Sequence, residues 1–324
     1  MDVATFCAES RVWVVAGKGG VGKTTIAAAM ARMAAEAGLR VLLVELEGRP
    51  GIAAAFGQSG SLDYEQGALF APAGGTGSIE GRRLTPDDAL LEYLADHGLQ
   101  RVSRRLVSSG VLDVVATAIP GIRDVLVLGK VKQLERASIA DVIVVDAPAT
   151  GHAMTFLTSA SGLLDAARSG PVRTQAADVV ELLTDPARCR VLLVTLPEEL
   201  PVSETVEAAY LVEDKAGVQL GPVVVNGWDE APAGLSVDVE TAAKAAGVRL
   251  ATDQVEALEA ARAFRLRRVA LATEQVDRLR RELPLPQLRT PHLDTPSIGP
   301  VELGRLAGAL ADEIGRLVPE VDRV

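Results

Sequence analysis

Gly17-Lys18-Gly19-Gly20-Val21-Gly22-Lys23-Thr24-Thr25 fits the pattern G-x-x-x-x-G-K-[ST], a phosphate-binding loop. The pattern carries weight only between a strand and a helix, and both are legible here. The apolar run Val12-Trp13-Val14-Val15 leads in, and an alanine-rich segment from Ile26 to Ala37 leads out, with Gly38 placed as its C-terminal cap. Gly17, Gly19, Gly20 and Gly22 open dihedrals that a Cβ closes, so the N–H groups from Gly17 through Val21 to Thr25 turn inward on an anion. The helix that starts near Lys23 aims about half a positive charge at the same point. This spacing predicts that Lys23 reaches the β- and γ-phosphates of a nucleotide and that the Thr24 hydroxyl binds Mg²⁺.

Composition sets outer bounds. The 324 residues suffice for one large α/β core. No apolar run reaches the ~18–20 residues that span a bilayer, so no stable membrane insertion is expected. MDVATFCAES lacks the charged and apolar regions of a signal peptide. Cys7 and Cys189, far apart, suit a reducing cytoplasm without a disulfide framework. A formal net charge of −10 argues against broad nucleic-acid or anionic-membrane binding. A soluble cytoplasmic protein is the expectation.

Lys18, directly after the first glycine, gives the loop G-K-G-G-V-G-K-T-T. It resembles the deviant Walker A loop of a class of dimeric ATPases that includes the partition and septum-positioning ATPases, the nitrogenase iron protein, and the arsenite-pump and tail-anchored-protein-targeting ATPases. The resemblance implies that Lys18 crosses a dimer interface and neutralises transition-state charge at the partner's nucleotide, as an arginine finger does. The alternative is a solvated loop lysine.

A second buried strand, Val41-Leu42-Leu43-Val44, ends in Glu45-Leu46-Glu47-Gly48. Carboxylates at that edge of a parallel sheet sit where α/β proteins bind ligands. In the resembling ATPases an aspartate followed by proline orients the attacking water here. Alignment through Ala55-Phe56-Gly57 puts Glu47 in its place, one methylene longer and without the proline. A solvated pair of loop glutamates is the alternative. From Gly57 to Arg83 the chain reads as loop and mobile turns, with room for one short strand at the apolar run Ala68-Leu69-Phe70. Thr85-Pro86-Asp87-Asp88 opens a helix that Gly98 ends, and helical pieces over 101–107, 111–118 and from Ile122 to about Glu135 complete a helical insertion, about 85–135. With four methionines in the chain, a Met-rich client groove is not expected.

Val142-Ile143-Val144-Val145-Asp146 is a buried strand ending in an acid, the Walker B arrangement, with Asp146 near Mg²⁺ through water. The string D-A-P-A-T-G-H-A-M-T-F-L that follows resembles the second switch of the arsenite-pump and tail-anchored-protein-targeting branch, the ArsA-like or anion-transporting ATPases, closest to its actinobacterial paired members. The resemblance makes His152 a switch residue rather than a base. Further helices span about 152–187, with one from Val172 to Thr184. Another strand precedes a helix from Ser203, and the strand Gly221–Asn226 follows. The family would place Asn226 on the adenine edge; capping the turn before Gly227 is the alternative. The arginines of a long helix from Val255 to Leu283 are interspersed with acids, which fits a solvated face. A last strand over Leu283–Leu288 and a helix from Val301 to Leu317 close the chain.

These elements predict an α/β P-loop NTPase fold, a mostly parallel sheet wrapped by helices on both faces, as a single ATPase domain over 1–324. The implied function is Mg-dependent ATP hydrolysis by a nucleotide-bridged homodimer, or by a heterodimer with a related ATPase subunit, driving a switch that handles a cargo. Arsenite capture wants clustered thiols and the targeting members use a C-x-x-C zinc clasp; the sequence has neither. A partition or septum-positioning ATPase and a weakly hydrolysing regulatory subunit remain alternatives.

Overall fold

The computed structural model describes residues 1–46, 51–65, 67–96 and 121–317; for 95, 96 and 149–152 it describes the backbone alone. Strand β1 (Val12–Gly17) is buried at every position, so it sits mid-sheet with both faces covered. It pairs in parallel with β5 (Val142–Ala149) on one side and β6 (Cys189–Thr195) on the other. Outward from β5 run β2 (Arg40–Glu45), β4 (Ser78–Arg83) and β3 (Gly67–Phe70); outward from β6 run β7 (Val223–Trp228) and β8 (Gln287–Pro291). All neighbours in this eight-stranded sheet are parallel except β3 and β4. This is the doubly wrapped P-loop NTPase arrangement predicted from the sequence.

Alternate residues of β1 feed two cores. Trp13 and Val15 pack with helices α1 (Val3–Ala8), α2 (Lys23–Glu36) and α11 (Pro300–Arg316). Val12 and Val14 pack on the other face, with α5 (Ile122–Arg136), α6 (Thr150–Ala166), α7 (Pro171–Thr184) and α8 (Glu199–Leu211). Nine residues of α2 are buried, six of them alanine, which lets this helix lie close to the sheet. It stops in a Schellman turn: Leu39 N–H bonds the Ala34 carbonyl at 3.1 Å and Gly38 N–H bonds Ala35 at 3.0 Å, with Gly38 left-handed at φ +94°. α11 lays Leu303, Leu306, Ala307, Leu310 and Ile314 against it, spaced as one helical stripe.

Sequence reading missed β4. Ser-Ile-Glu-Gly-Arg-Arg has one large apolar residue, Ile79, and scores poorly as a strand. Its environment decides instead. β2 pairs with it along its whole length and β3 covers its outer edge. A side chain at Gly81 would sit 2.4 Å from Leu69 Cδ1, so that glycine is what admits the leucine. Buried Arg82 lies over the Tyr64 ring at 4.6 Å, and Tyr64 donates to Glu92, which also receives Lys130.

Two boundaries also move. Pairing of the last strand starts at Gln287 rather than Leu283, because Pro284 and Pro286 have no N–H for the ladder. Helix α8 begins at Glu199, with Pro201 in the first turn where no donor is needed. Helices α4 (Pro86–Asp96) and α5 are the first and last pieces of the expected insertion, whose pieces over 101–107 and 111–118 and whose Gly98 lie outside the described residues. After the short helix α9 (Val239–Ala245) comes the long helix α10 (Thr252–Glu282), where Arg262, Arg265, Arg278 and Arg280 pair with Glu259, Asp229, Glu282 and Asp277. No described helix is long and apolar enough to cross a membrane.

Candidate functional site

The carboxyl ends of β1, β2, β5, β6 and β7 meet around the loop Gly17–Thr25. Gly22 is the N-cap of α2, left-handed at φ +91°, and no side chain caps the helix. The first bond inside the helix is Ile26 N–H to Gly22 carbonyl at 2.9 Å, so the N–H groups of Lys23, Thr24 and Thr25 precede the helical ladder. The first turn holds no acid to compete with a bound anion. Gly19 and Gly20 bring the backbone round between Lys18 and Val21, Gly20 at φ +88°.

Two close contacts hold this loop. A Cβ on Gly17 would sit 2.4 Å from the Val194 carbonyl oxygen of β6, so the chain can pass there only as glycine. Below Gly22 lies Asn226, whose Nδ2 donates to the Val21 carbonyl at 2.9 Å while its Oδ1 accepts from Thr290 Oγ1 at 2.9 Å. A Cβ on Gly22 would sit 2.3 Å from that Nδ2. Asn226 therefore binds the loop itself, a contact between residues remote in sequence that no local signal announces.

Beside the loop, Thr24 Oγ1 donates to Asp146 Oδ2 at 2.6 Å. The two groups expected at Mg²⁺ are thus brought together, both hard oxygen donors, and Asp146 is 8% exposed. The first residue of α3 (Gly51–Ala55) abuts the Thr24 methyl: a Cβ on Gly51 would lie 3.2 Å from it. Lys23 Nζ donates to the Lys18 carbonyl at 3.2 Å, folded back over the loop. The Lys18 ammonium, half exposed, pairs with Glu204 of α8 in the same chain. Glu47 lies outside the described residues, as does the side chain of His152, whose backbone is in α6.

For Glu45 the solvated alternative is set aside. As the last residue of β2 it is 2% exposed, not one of a solvated pair, and its Oε2 is buried without a hydrogen-bond partner. Parallel register sets it between Arg83 of β4 and Asp146 of β5. Burial pushes its carboxyl up to about 7; the Asp146 charge acts the same way, and Arg83 opposes both. The signal was present, since Val41-Leu42-Leu43-Val44-Glu45 is an unbroken buried strand that carries the acid to its end.

The two cysteines sit in different cores, Cys7 with α2 and Cys189 with α7, and burial pushes each thiol up to about 12. They form neither a thiolate pair nor an exposed nucleophile.

Residues 10–167 match the family described as anion-transporting ATPase. ATPase BagA of Mycobacterium tuberculosis is 40% identical over 225 residues, covering 67% of this chain and 64% of that protein. The arsenical pump-driving ATPase of Escherichia coli is 28% identical over 223 residues, covering 67% of this chain and 35% of its own. The ATPase get3 of Schizosaccharomyces japonicus is 29% identical over 146 residues, 45% of this chain and 43% of that one. The chain therefore spans a little under two thirds of the mycobacterial relative's length and about a third of the pump ATPase's.

Proposed function

The chain belongs to the anion-transporting ATPase family through residues 10–167, and on that premise we propose that it is a Mg-dependent ATPase whose nucleotide is gripped between two related subunits. The observation that carries the reading is the direct Thr24–Asp146 contact at 2.6 Å beside a helix whose first-turn N–H groups face an acid-free loop. These are the groups needed for a magnesium-bound triphosphate, and they converge from two parts of the chain far apart in sequence.

Each residue then has a task. The N–H groups from Gly17 to Thr25 hold the β-phosphate, and Lys23 exchanges the Lys18 carbonyl for phosphate oxygens. Thr24 would hold Mg²⁺ directly and Asp146 through water, and the metal would neutralise charge on the β- and γ-phosphates. Glu47 orients the attacking water. Lys18 leaves Glu204 and reaches the partner's nucleotide. A contact of Asn226 with the adenine edge would use the Nδ2 proton not given to Val21. The partner is a second copy or a related ATPase subunit, and the cytoplasm is the expected compartment.

A second reading keeps the nucleotide site but makes this chain a weakly hydrolysing regulatory subunit, favoured by Glu47-Gly48 standing where the family has aspartate and proline. Steady-state phosphate release by the purified chain separates the two. Turnover that requires Mg²⁺ and is lost in Lys23→Ala supports the first. Tight ATP binding with no turnover above background supports the second, and no binding at all overturns both.

A further inference from the structure

Glu45 has no part in the roles assigned above, yet it is the most deeply buried carboxylate at this end of the sheet. Residues paired in parallel register point to the same face, so Arg83, Glu45 and Asp146 form one row across β4, β2 and β5. That row lies on the α2 side, since Leu43, two residues before Glu45, packs in the core that contains α2.

Burying a carboxylate oxygen without a partner is costly, and such groups persist where a ligand completes them. The neighbouring Arg83 does not supply the missing bond: Glu45 Oε2 has no hydrogen-bond partner, and Arg83 Nε is likewise buried and unpartnered. At the end of the row next to Glu45 stands Asp146, which accepts from Thr24 Oγ1. Magnesium in phosphate sites keeps several waters, and carboxylates beside it accept hydrogen bonds from them.

We propose that Glu45 is a second carboxylate of the magnesium site, accepting a hydrogen bond from a metal-bound water beside Asp146. The inference rests on the ATPase reading and adds a residue to it. Its role is positioning: it holds the metal's water shell and does not touch the nucleotide.

The test uses Mn²⁺, whose free aquo ion is counted by electron paramagnetic resonance, titrated into the full chain saturated with a non-hydrolysable ATP analogue. Nucleotide affinity is measured separately in EDTA by calorimetry. Glu45→Gln is expected to weaken Mn²⁺ binding about tenfold or more, the loss typical of removing an outer-shell partner, with the metal-free nucleotide affinity unchanged. Glu45→Asp keeps the charge and should lose less than about threefold on the same grounds. Unchanged or tighter Mn²⁺ binding in Glu45→Gln, with wild type binding both metal and nucleotide, overturns this inference alone. Wild type that binds no nucleotide overturns the ATPase reading, and this one with it. Should Glu45→Gln fail to fold, Glu45→Asp decides: Mn²⁺ bound more weakly, within threefold, supports the role, and an undiminished affinity refutes it.

Discussion

Gly22→Ala puts the account of the loop under direct strain. The added methyl would start 2.3 Å from Asn226 Nδ2, and the backbone at φ +91° lies in a region closed to alanine. Holding alanine left-handed costs about 1–2 kcal/mol. Moving Asn226 aside breaks its bonds to Val21 and Thr290, at about 0.5–1.5 kcal/mol each. The sum is about 2–5 kcal/mol, which for a chain of this length lowers Tm by about 3–7 °C. On the proposed reading function suffers more than stability, because the N–H groups that would face the phosphates shift together. Losing two charge-assisted bonds at about 1.5–3 kcal/mol each reduces ATP affinity at least ~100-fold. Calorimetric ATP titration beside a thermal melt reads both numbers. The double variant Gly22→Ala/Asn226→Ala carries the same backbone strain and lacks the same two bonds, so its Tm should lie near that of Gly22→Ala rather than fall by the sum of the two single losses. A Gly22→Ala protein that melts and binds ATP like wild type would refute the reasoning.

Glu45 makes stability depend on pH. Below about pH 4.5, its ordinary value, it is neutral in both states. Between there and about 7 the unfolded chain ionises it while the folded chain keeps it protonated, so stability falls across that window by on the order of 3 kcal/mol. Glu45→Gln lacks this loss: urea curves of variant and wild type should coincide near pH 4.5 and separate toward pH 8, with the variant more stable. Parallel curves at all pH would contradict it. Glu204→Gln releases Lys18 from its contact in the same chain. An exposed pair of this kind is worth at most about 1 kcal/mol, so nucleotide-dependent pairing should begin at up to about fivefold lower protein concentration; a shift to higher concentration in sedimentation would count against a lysine shared between subunits.

What could be read from sequence was what short-range chemistry dictates. The glycines around Lys23 specify their own turn, and the buried runs Val12–Val15, Val41–Val44 and Val142–Val145 specify central strands wherever they lie. Asp146 and Thr24 could be assigned expected roles because the first directly follows such a run and the second sits at a fixed offset in the glycine loop. The missed features are long-range. β4 is polar and becomes a strand only because β2 and β3 receive it. Asn226 meets Val21 across 205 positions and Lys18 meets Glu204 across 186, distances over which no periodicity operates. Glu45 was placed at the ligand-binding edge of the sheet but given no role of its own, and its strand carries it under cover before the loop begins.

The claim at the centre is that one triphosphate joins two subunits through paired loops. Sedimentation equilibrium of the purified chain, 33.9 kDa, with Mg²⁺ and a non-hydrolysable ATP analogue measures it most directly. The account predicts a doubled mass that needs both ligands and is lost in Lys18→Ala while nucleotide binding persists. A mass that stays at that of one chain under saturating nucleotide, with or without a related subunit added, would contradict it.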